Sequence, residues 1–457
     1  MKKNLSKSSL EFINHASYFL NYNKIKILVD PWFTGSAFDN GWSLLVENSP
    51  EKKKIKETTH IWFSHEHPDH FSVSDLYEIF NINPNIVILF QITKDKRLVN
   101  FCKKVGFKVI EIKNFEKIKI DDDFEIQIIK CGNLDSLSIM NFDNKSVINL
   151  NDCVPNQDLL KLENIIDKSK KKILLTQFSY AEKTGNPNEP EKRKNATKKK
   201  MDQISNQINF FKPEFIIPFA SYIFFSNEDN FYMNDMTARI ENVEKEIVKN
   251  FKYTKPIVLY PGEIWNFYLK KNTNSIEKYI DSQNNIKILF KDKPETIEKI
   301  TKEILNFKKR IFHKNNKFLI YILKYVSNII GRDFFPEVIF FIKDLNKSIK
   351  FSLIDTNKNV IMDGKISNTD IELNSHSFYY LLKHEWGAST LMINGKFISC
   401  SAKGEYKFRK LFSLSLLNST GKNLINYVYE RILMKKSFKI AEYEGGYLIN
   451  DQVNEKN

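Results

Sequence analysis

The sequence predicts an α/β fold: an αββα sandwich of two β-sheets with helices outside, followed by a smaller α+β unit. Three observations predict it. The chain has 457 residues, which is enough for more than one domain with a buried core. Short apolar runs alternate with amphipathic stretches over residues 1–270, as expected for packed sheets flanked by helices. A histidine-rich segment follows one of the apolar runs directly, at 65–70.

The elements follow the apolar pattern in chain order. In the first part, we expect strands at 24–29, 60–63, 86–90, 108–112, 124–129, 136–142, 146–150, 172–176 and 215–218. Helices are expected between and after them at 73–80, 96–105, 156–168, 195–211 and 235–250. We therefore predict one domain over 1–270.

The remaining chain changes character. Residues 271–335 are charged and helical in pattern, which predicts a helical linker. A C-terminal α/β unit over 336–457 is predicted from strands at 338–342, 350–354, 360–366 and 389–398 and from helices at 375–383 and 407–416. The segment 318–330 is the most apolar, but Lys324 interrupts it, so we expect a buried or interface-lying helix and no transmembrane segment.

Charge and cysteine usage limit the function classes. The net charge of +15 and the pI near 9.2 favour an anionic small-molecule partner. Nucleic acid is not expected, because the lysine runs at 52–56, 168–172 and 192–200 lack interleaved aromatic residues for stacking. The four widely spaced cysteines form no CxxC pair, and no signal peptide is evident, so we expect a cytoplasmic protein without a disulfide scaffold.

The strongest local signal is the segment Ser64-His65-Glu66-His67-Pro68-Asp69-His70. His65 and His67 are two residues apart after an apolar strand, so their side chains point to the same side and can hold one cation. Asp69 and His70 follow where the chain turns, and they can face a second cation. Two metal ions in this arrangement activate a bridging water and hold both ends of a reacting group.

The bridging ligand should come from the end of another strand. Asp152 follows the apolar run at 147–150 and is our candidate for that role. A full two-metal site needs further ligands, yet no histidine occurs between His70 and His313. Possible substitutes cluster before the strand at 136–142, where a thiolate, an amide or a carboxylate would change the metal preference. They are Cys131, Asn133 and Asp135.

Two residues further upstream complete the predicted site. We expect His15 near the metals and give it, with Asp69, a catalytic role. Asp30 ends the strand at 24–29 and can hold a ligand imidazole through a hydrogen bond.

Together these segments resemble the metallo-β-lactamase superfamily. A closer resemblance is to the metallo-β-lactamase-like part of CMP-N-acetylneuraminate monooxygenase, through Asp30-Pro31-Trp32, Gly41-Trp42-Ser43-Leu44-Leu45, Asp152-Cys153 with Pro155-Asn156, 217–222, Asp229, Asn234 and, weakly, Trp386. The Rieske segment of that family has no counterpart in this sequence, and the family's histidine near Cys131 is missing. The resemblance therefore implies the fold more firmly than the hydroxylation.

Three functions remain open from the sequence. The first is a hydrolase in which one or two Zn, Fe or Mn ions, held by His65, His67, Asp69, His70 and Asp152, act through metal-bound hydroxide on an anionic ester, lactone or phosphodiester. The second is an iron-dependent monooxygenase component that hydroxylates a nucleotide sugar with electrons from a separate protein. The third is a non-catalytic binding protein. The substrate, the metal and the oligomeric state stay open.

Overall fold

A computed structural model describes residues 8–132, 134–154, 159–268, 274–329, 333–354 and 360–433. The strands, numbered in chain order, are β1 Ser8–Asn14, β2 Ser17–Tyr22, β3 Ile25–Val29, β4 Ser36–Ala37, β5 Trp42–Leu44, β6 His60–Trp62, β7 Val87–Gln91, β8 Lys108–Ile112, β9 Lys117–Asp121, β10 Phe124–Cys131, β11 Asp135–Phe142, β12 Lys145–Asn151, β13 Lys171–Gln177, β14 Phe215–Phe219, β15 Ile223–Phe225, β16 Lys255–Pro256, β17 Ile264–Trp265, β18 Val338–Ile342, β19 Lys347–Phe351, β20 Val360–Asp363, β21 Ile371–Leu373 and β22 Phe397–Ser399.

The helices are α1 Lys52–Lys56, α2 Val73–Ile82, α3 Arg97–Val105, α4 Leu159–Ile165, α5 Pro190–Phe211, α6 Ile240–Asn250, α7 Ser275–Asn284, α8 Ile297–Asn315, α9 Lys317–Ile329, α10 Ser375–Lys383, α11 Gly387–Asn394, α12 Ala402–Leu411, α13 Ser413–Ser419 and α14 Leu424–Leu433, with short 3₁₀ turns at Phe231–Asn234 and Lys343–Leu345. In the described part of the chain, none of these helices combines the length and the apolar character needed to cross a membrane.

Two seven-stranded sheets form the first unit. Their strand orders are β17-β1-β2-β3-β6-β7-β8 and β16-β14-β13-β12-β11-β10-β9. In each sheet an antiparallel part continues into a parallel part, through β3-β6-β7-β8 in one and β12-β13-β14-β16 in the other. Because carboxyl ends of parallel strands lie at one edge, the loops after β6 and β12 can meet there.

The core lies between these sheets. Leu20 and Trp62 of the first sheet and Ile148 of the second are completely buried in one apolar cluster. Helices α2 and α3 cover the outer face of the first sheet through a separate cluster that contains Leu76 and Val99. Helices α5 and α6 contribute to the cluster beside the second sheet. The αββα sandwich predicted from the sequence is confirmed.

The C-terminal unit has its own sheet and core. Strands β20-β19-β18-β21-β22 form the sheet, and Phe340 and Phe412 are fully buried beside it. Helix α8, which the sequence assigned to a linker, buries Ile300 and Ile304 in this same core. The boundaries at 270 and 335 stay a prediction.

One predicted strand is wrong. Residues 389–398 form most of helix α11 and the start of β22. Every residue of α11 is buried, including Ser389, Thr390 and Asn394, so the segment has no exposed polar face and no periodicity that separates helix from strand.

A buried ion cluster joins the two units. The Lys396 ammonium is completely buried and donates to Asp39 Oδ2 at 2.7 Å and to Asp292 Oδ2 at 2.8 Å. His376 Nε2 lies 3.0 Å from Asp39 Oδ1. Asp39 belongs to a loop in which the neighbouring Phe38 ring lies 5.7 Å from the ring of His67. The C-terminal unit therefore holds a loop that contacts the histidine motif.

Candidate metal centre

The histidine motif follows β6 at the edge where the parallel strands end. β6 lies between β3 and β7, and the chain then forms a turn in which the His70 and Phe71 N–H groups donate to the His67 carbonyl. Ser72 caps the following helix α2 by accepting from the Asp75 N–H. The motif thus lies in a short turn between a buried strand and a capped helix. Both neighbours restrict the backbone of the turn and so set the directions of the motif side chains.

The motif side chains fall into two groups of metal-ligand type. His65, His67 and Asp152 form one group, in which the ligand atoms all lie within 4.8 Å of one another. The second group has the same compactness and consists of His15, Asp69 and His70. Donors around one cation at about 2.0–2.2 Å are separated by roughly 3–4 Å. Each group therefore has the dimensions of a metal site.

Asp152 lies between the two groups. Its Oδ2 atom is 3.9 Å from His65 Nε2 and 3.4 Å from His70 Nε2. The preceding Asn151 ends β12 with a left-handed φ of 52°, which asparagine tolerates better than most residues. That turn directs Asp152 towards the motif, and one carboxylate oxygen can serve both groups.

The Asp30 carboxylate connects the residues around the motif through hydrogen bonds. Its Oδ1 accepts from the Ser64 N–H at 2.8 Å, and its Oδ2 accepts from the Ser64 hydroxyl at 2.7 Å and also from the Asn151 amide. The same Oδ2 is 3.1 Å from His70 Nδ1. A carboxylate at Nδ1 keeps a proton on that nitrogen, so Nε2 of His70 faces the site and would supply the lone pair to a metal ion.

His15 comes from the turn between β1 and β2. Its Nε2 lies 3.3 Å from Asp69 Oδ2, and its ring packs edge-on against Trp32 with the centroids 5.7 Å apart. His15 is 1% exposed, and its backbone has a left-handed φ of 31°. The structure thus places His15 beside Asp69 and His70, where its imidazole can serve as the third ligand of that group.

Of the possible substitute ligands, Asp135 lies beside the motif. This first residue of β11 has Oδ1 3.9 Å from His65 Nε2. Burial and, second, the charge of Asp152 raise its pKa to about 7. Cys131 instead hydrogen-bonds the thiol of Cys153, and burial is the main cause that raises the Cys153 pKa well above its usual value. Asn133 lies outside the described residues, as does Pro155-Asn156.

The charges of the site suit cations. Burial, with the neighbouring His70 and His67, holds the His65 pKa well below its usual value, so His65 is neutral and can donate its lone pair. Burial acts to raise the pKa of Asp152, but the nearby His70 outweighs it and lowers that pKa to about 2. Burial also opposes the charged form of His70, yet Asp69 and Asp152 raise its pKa well above the usual value. Without a metal, a proton on His70 balances these carboxylates.

One buried atom supports the fit to metal ions. Asp69 Oδ1 has no hydrogen-bond partner in the part of the chain that the structure describes, although Asp69 is only 2% exposed. The nearby His70 Nε2 lies 3.1 Å from the other oxygen, Oδ2, and 3.4 Å from Asp152 Oδ2. Burying a carboxylate oxygen without a partner is costly. A cation beside Oδ1 would remove that cost, so the residues present fit a metal centre.

Sequence reasoning missed Gln177, which contacts the bridging carboxylate, and Lys200, which contacts Gln177. Gln177, the last residue of β13, donates from Nε2 to Asp152 Oδ1 at 3.1 Å, and its Oε1 accepts from the buried Lys200 ammonium. Because an ammonium only donates, it fixes which end of the amide faces Asp152. Oδ1 is thereby engaged by Gln177, and Oδ2 faces the histidines. The position of Gln177 beside β12, at the end of the next parallel strand, was the available signal.

A third group of closely spaced titratable residues differs from the two groups around Asp152, because it already contains a lysine ammonium. Asp39, Asp292 and His376 also have closely spaced ligand atoms. The Lys396 ammonium already donates to both carboxylates, so a cation is present there as part of the protein.

No protein-family model matches the chain. Among curated proteins, it is 24% identical over 307 residues to the cytidine monophosphate-N-acetylneuraminic acid hydroxylase of Danio rerio, covering 62% of this chain and 50% of that protein. It is 24% identical over 318 residues to the same hydroxylase of Xenopus laevis, covering 66% of this chain and 53% of that protein. The chain spans about half the length of the curated relatives it matches.

Solved structures give weaker similarity. CmlA, a diiron β-hydroxylase from Streptomyces venezuelae, matches with a TM-score of 0.39 and 13% identity, covering 58% of this chain and 55% of that one. The metallo-β-lactamase fold protein YhfI from Bacillus subtilis matches with a TM-score of 0.38 and 11% identity, covering 56% and 98%. These TM-scores are too low to support a fold assignment. The assignment rests instead on the strand order of the two sheets and on the position of the histidine motif after β6. The chain has the metallo-β-lactamase fold, and it is similar at low identity to part of the cytidine monophosphate-N-acetylneuraminic acid hydroxylases.

Proposed function

We propose that this chain is a metal-dependent enzyme that hydroxylates an anionic small molecule, and that the two groups around Asp152 would hold a pair of iron ions for this chemistry. The observation that carries this proposal is the carboxylate of Asp135 beside His65, where the sequence offers no third imidazole. Carboxylate ligands suit iron and manganese better than they suit the softer ions. This order reverses the expectation from the sequence, in which hydrolysis came first.

The proposed ligand sets share one residue. His65, His67 and Asp135 would hold one ion together with Asp152, and Asp69, His70 and His15 would hold the other together with the same carboxylate. The distances from Asp152 Oδ2 to His65 and His70 support the bridging role. When bound, an iron pair supplies the redox chemistry that dioxygen activation needs.

The protein's own residues prepare this site in three ways. Asp30 holds the Nδ1 proton of His70 so that Nε2 faces the metal position. The low pKa of buried His65 keeps its imidazole neutral. The Gln177 amide engages Oδ1 of Asp152 and leaves Oδ2 for the ions. Each contact sets a ligand atom in place before any substrate binds.

The reaction must balance in electrons. Hydroxylation converts a C–H bond and dioxygen into a C–OH group and one water, and it consumes two electrons and two protons. The 457 residues carry no CxxC pair of the kind that holds an iron–sulfur cluster. We propose that a separate reduced electron-transfer protein supplies the two electrons.

The proposed substrate is an anion of the nucleotide-sugar class. The net charge of +15 supports an anionic ligand. The name of the relatives refers to cytidine monophosphate-N-acetylneuraminic acid, a nucleotide-linked sugar acid that carries both a phosphate and a carboxylate. A sugar acid linked to a nucleoside monophosphate is the class we would test first.

Hydrolysis is the second candidate. His65, His67 and Asp152 alone provide three protein ligands, the number typical of a catalytic zinc ion with an open position for water. Under this alternative Asp135 need not bind metal, and zinc would occupy the site.

Metal competition on the full chain separates the two functions. We would load the protein with equal iron(II) and zinc, remove free metal without oxygen, and count bound ions for the wild type, for Asp135→His and for Asp363→Asn, an exposed control. Because zinc generally binds such sites more tightly than iron(II), the measure is the bound iron-to-zinc ratio relative to the control. The wild type and the control should have the same ratio, and Asp135→His should shift it towards zinc.

Activity is then measured on cytidine monophosphate N-acetylneuraminic acid with dioxygen and a chemical reductant, and mass spectrometry follows the gain of one oxygen atom. Cleavage of esters or phosphodiesters with no oxygen gain, together with an iron-to-zinc ratio that Asp135→His leaves unchanged, would establish hydrolysis instead.

A further inference from the structure

Helix α9 exposes an apolar face. Its inner side packs into the C-terminal core, where Ile320 is completely buried. On the opposite side, Phe318 is 73% exposed, Tyr325 69% and Ile329 68%, and Ile322 is 41% exposed. These four residues are three or four positions apart, so they form one continuous stripe along the helix.

Two further exposed residues widen the stripe into a patch. Tyr321 and Val326 flank it and are also exposed. Six large apolar side chains on one face of a single helix form a contiguous patch, and such patches mark sites of interaction. Tyr321 also packs within the C-terminal unit, where its ring stacks on Phe312 and its hydroxyl donates to the Ile354 carbonyl. The core itself is filled from the other face of α9, through Ile320.

The helical segment that carries the stripe is basic. No Asp or Glu occurs between Glu303 and Asp333, although these residues make up 55 of the 457 in the chain. The same stretch carries Lys308, Lys309, Arg310, Lys314, Lys317 and Lys324 among its described residues. In space, Glu385 pairs with Lys314 at 2.6 Å and Asp333 pairs with Lys324 at 2.6 Å. Lys309 and Lys317 are exposed and have no ion-pair partner among the described residues, so the apolar stripe adjoins two lysines that are available to an anionic surface.

We propose that α9 docks this chain on the surface of an anionic lipid bilayer, with Phe318, Ile322, Tyr325 and Ile329 inserted at the interface. Helices that lie in membrane interfaces combine an aromatic and aliphatic face with lysines that meet anionic headgroups. This inference does not depend on the reaction at the metal centre.

The charge argues against a second copy of the chain as the occupant. A twofold interface would bring the same patch of both copies together. Lys309 and Lys317 of each copy would then approach those of the other, and like charges would oppose the association. An anionic bilayer satisfies the apolar stripe and the lysines together.

Vesicle sedimentation with the full chain tests the proposal. We would compare phosphatidylcholine vesicles with and without phosphatidylglycerol, for the wild type, for a Phe318→Ser and Tyr325→Ser double variant, and for a Val248→Ser and Tyr253→Ser control that changes exposed residues of the first unit. The wild type and the control should bind the anionic vesicles, and the α9 variant should bind at least about tenfold more weakly.

The lysines give an independent test. A Lys309→Gln and Lys317→Gln variant should lose about fivefold per lysine on anionic vesicles, and added salt should weaken wild-type binding. Absence of binding to anionic vesicles, or equal binding by wild type and the Phe318 and Tyr325 variant, would overturn the proposal. Concentration-dependent dimers in analytical ultracentrifugation that the same variant abolishes, without vesicle binding, would identify a second copy as the occupant and would also overturn it.

Discussion

Replacing Asp30 with asparagine should remove one metal ion without unfolding the protein. In the wild type, Oδ1 of Asp30 accepts from the Ser64 N–H, while Oδ2 faces Ser64 Oγ, the Asn151 amide and His70 Nδ1. Asparagine keeps the shape and one carbonyl oxygen. With that oxygen on Ser64 N–H, its NH₂ group must face His70, and two donors then meet.

The simplest relief of that conflict is a change of tautomer. His70 Nδ1 would give up its proton and accept from the new amide, and the proton would move to Nε2. Nε2 is the atom that lies 3.4 Å from Asp152 Oδ2 and faces the metal position. A protonated Nε2 cannot bind a cation, so the ion held by Asp69 and His70 should be lost first.

The magnitude follows from the role of such contacts. Removing the partner of a ligating histidine typically costs 10- to 100-fold in metal affinity, which corresponds to about 1.4 to 2.8 kcal/mol. Calorimetric titration with metal, followed by counting bound ions after dialysis, measures it, and Asp363→Asn serves as the control. An Asp30→Asn protein that keeps the wild-type number of ions at wild-type affinity would refute the tautomer reasoning.

Three further outcomes are expected. Asp152→Ala should abolish binding of both ions in the same titration, since one carboxylate serves both groups; retention of one tight ion would contradict the shared role. Lys396→Met should destabilise folding by about 3–5 kcal/mol in urea denaturation, because it leaves the carboxylates of Asp39 and Asp292 buried without their cation. The hydrogen bond with Asp39 raises the pKa of His376, so its contribution to stability is present below about pH 6.5 and is lost as the pH rises through the raised value. His376→Gln should flatten that part of the profile of melting temperature against pH, and an unchanged slope would count against it.

The sequence predicted the sandwich because its signals are local and repeated. The strand at 60–63 is a short apolar run bounded by polar residues, and β6 at His60–Trp62 lies inside it. Hairpin strands β1 and β2 were not predicted, although their residues are mostly buried. Helix α11 was predicted as a strand because full burial removes the periodicity on which the assignment depends.

The site residues could be predicted where potential metal ligands come directly after an apolar strand in the sequence. The histidine motif and Asp152 each come directly after an apolar run, so the edge of the sheet brings them together. Gln177 and Lys200 come from a later strand and a long helix, and only the pairing of β12 with β13 places the amide near Asp152. The ion cluster of Asp39, Asp292 and Lys396 depends on contacts between the two units, which no local pattern reveals.

The most direct measurement is an anomalous-diffraction map of crystals of the metal-loaded full chain. We expect two peaks on opposite sides of Asp152, one within about 2.0–2.2 Å of donor atoms of His65 and His67 and the other within that distance of donor atoms of Asp69 and His70. Asp135 should contact the first ion and His15 the second. The absence of any peak at Asp152, or ordered metal bound elsewhere with these side chains unliganded, would contradict the proposed metal centre.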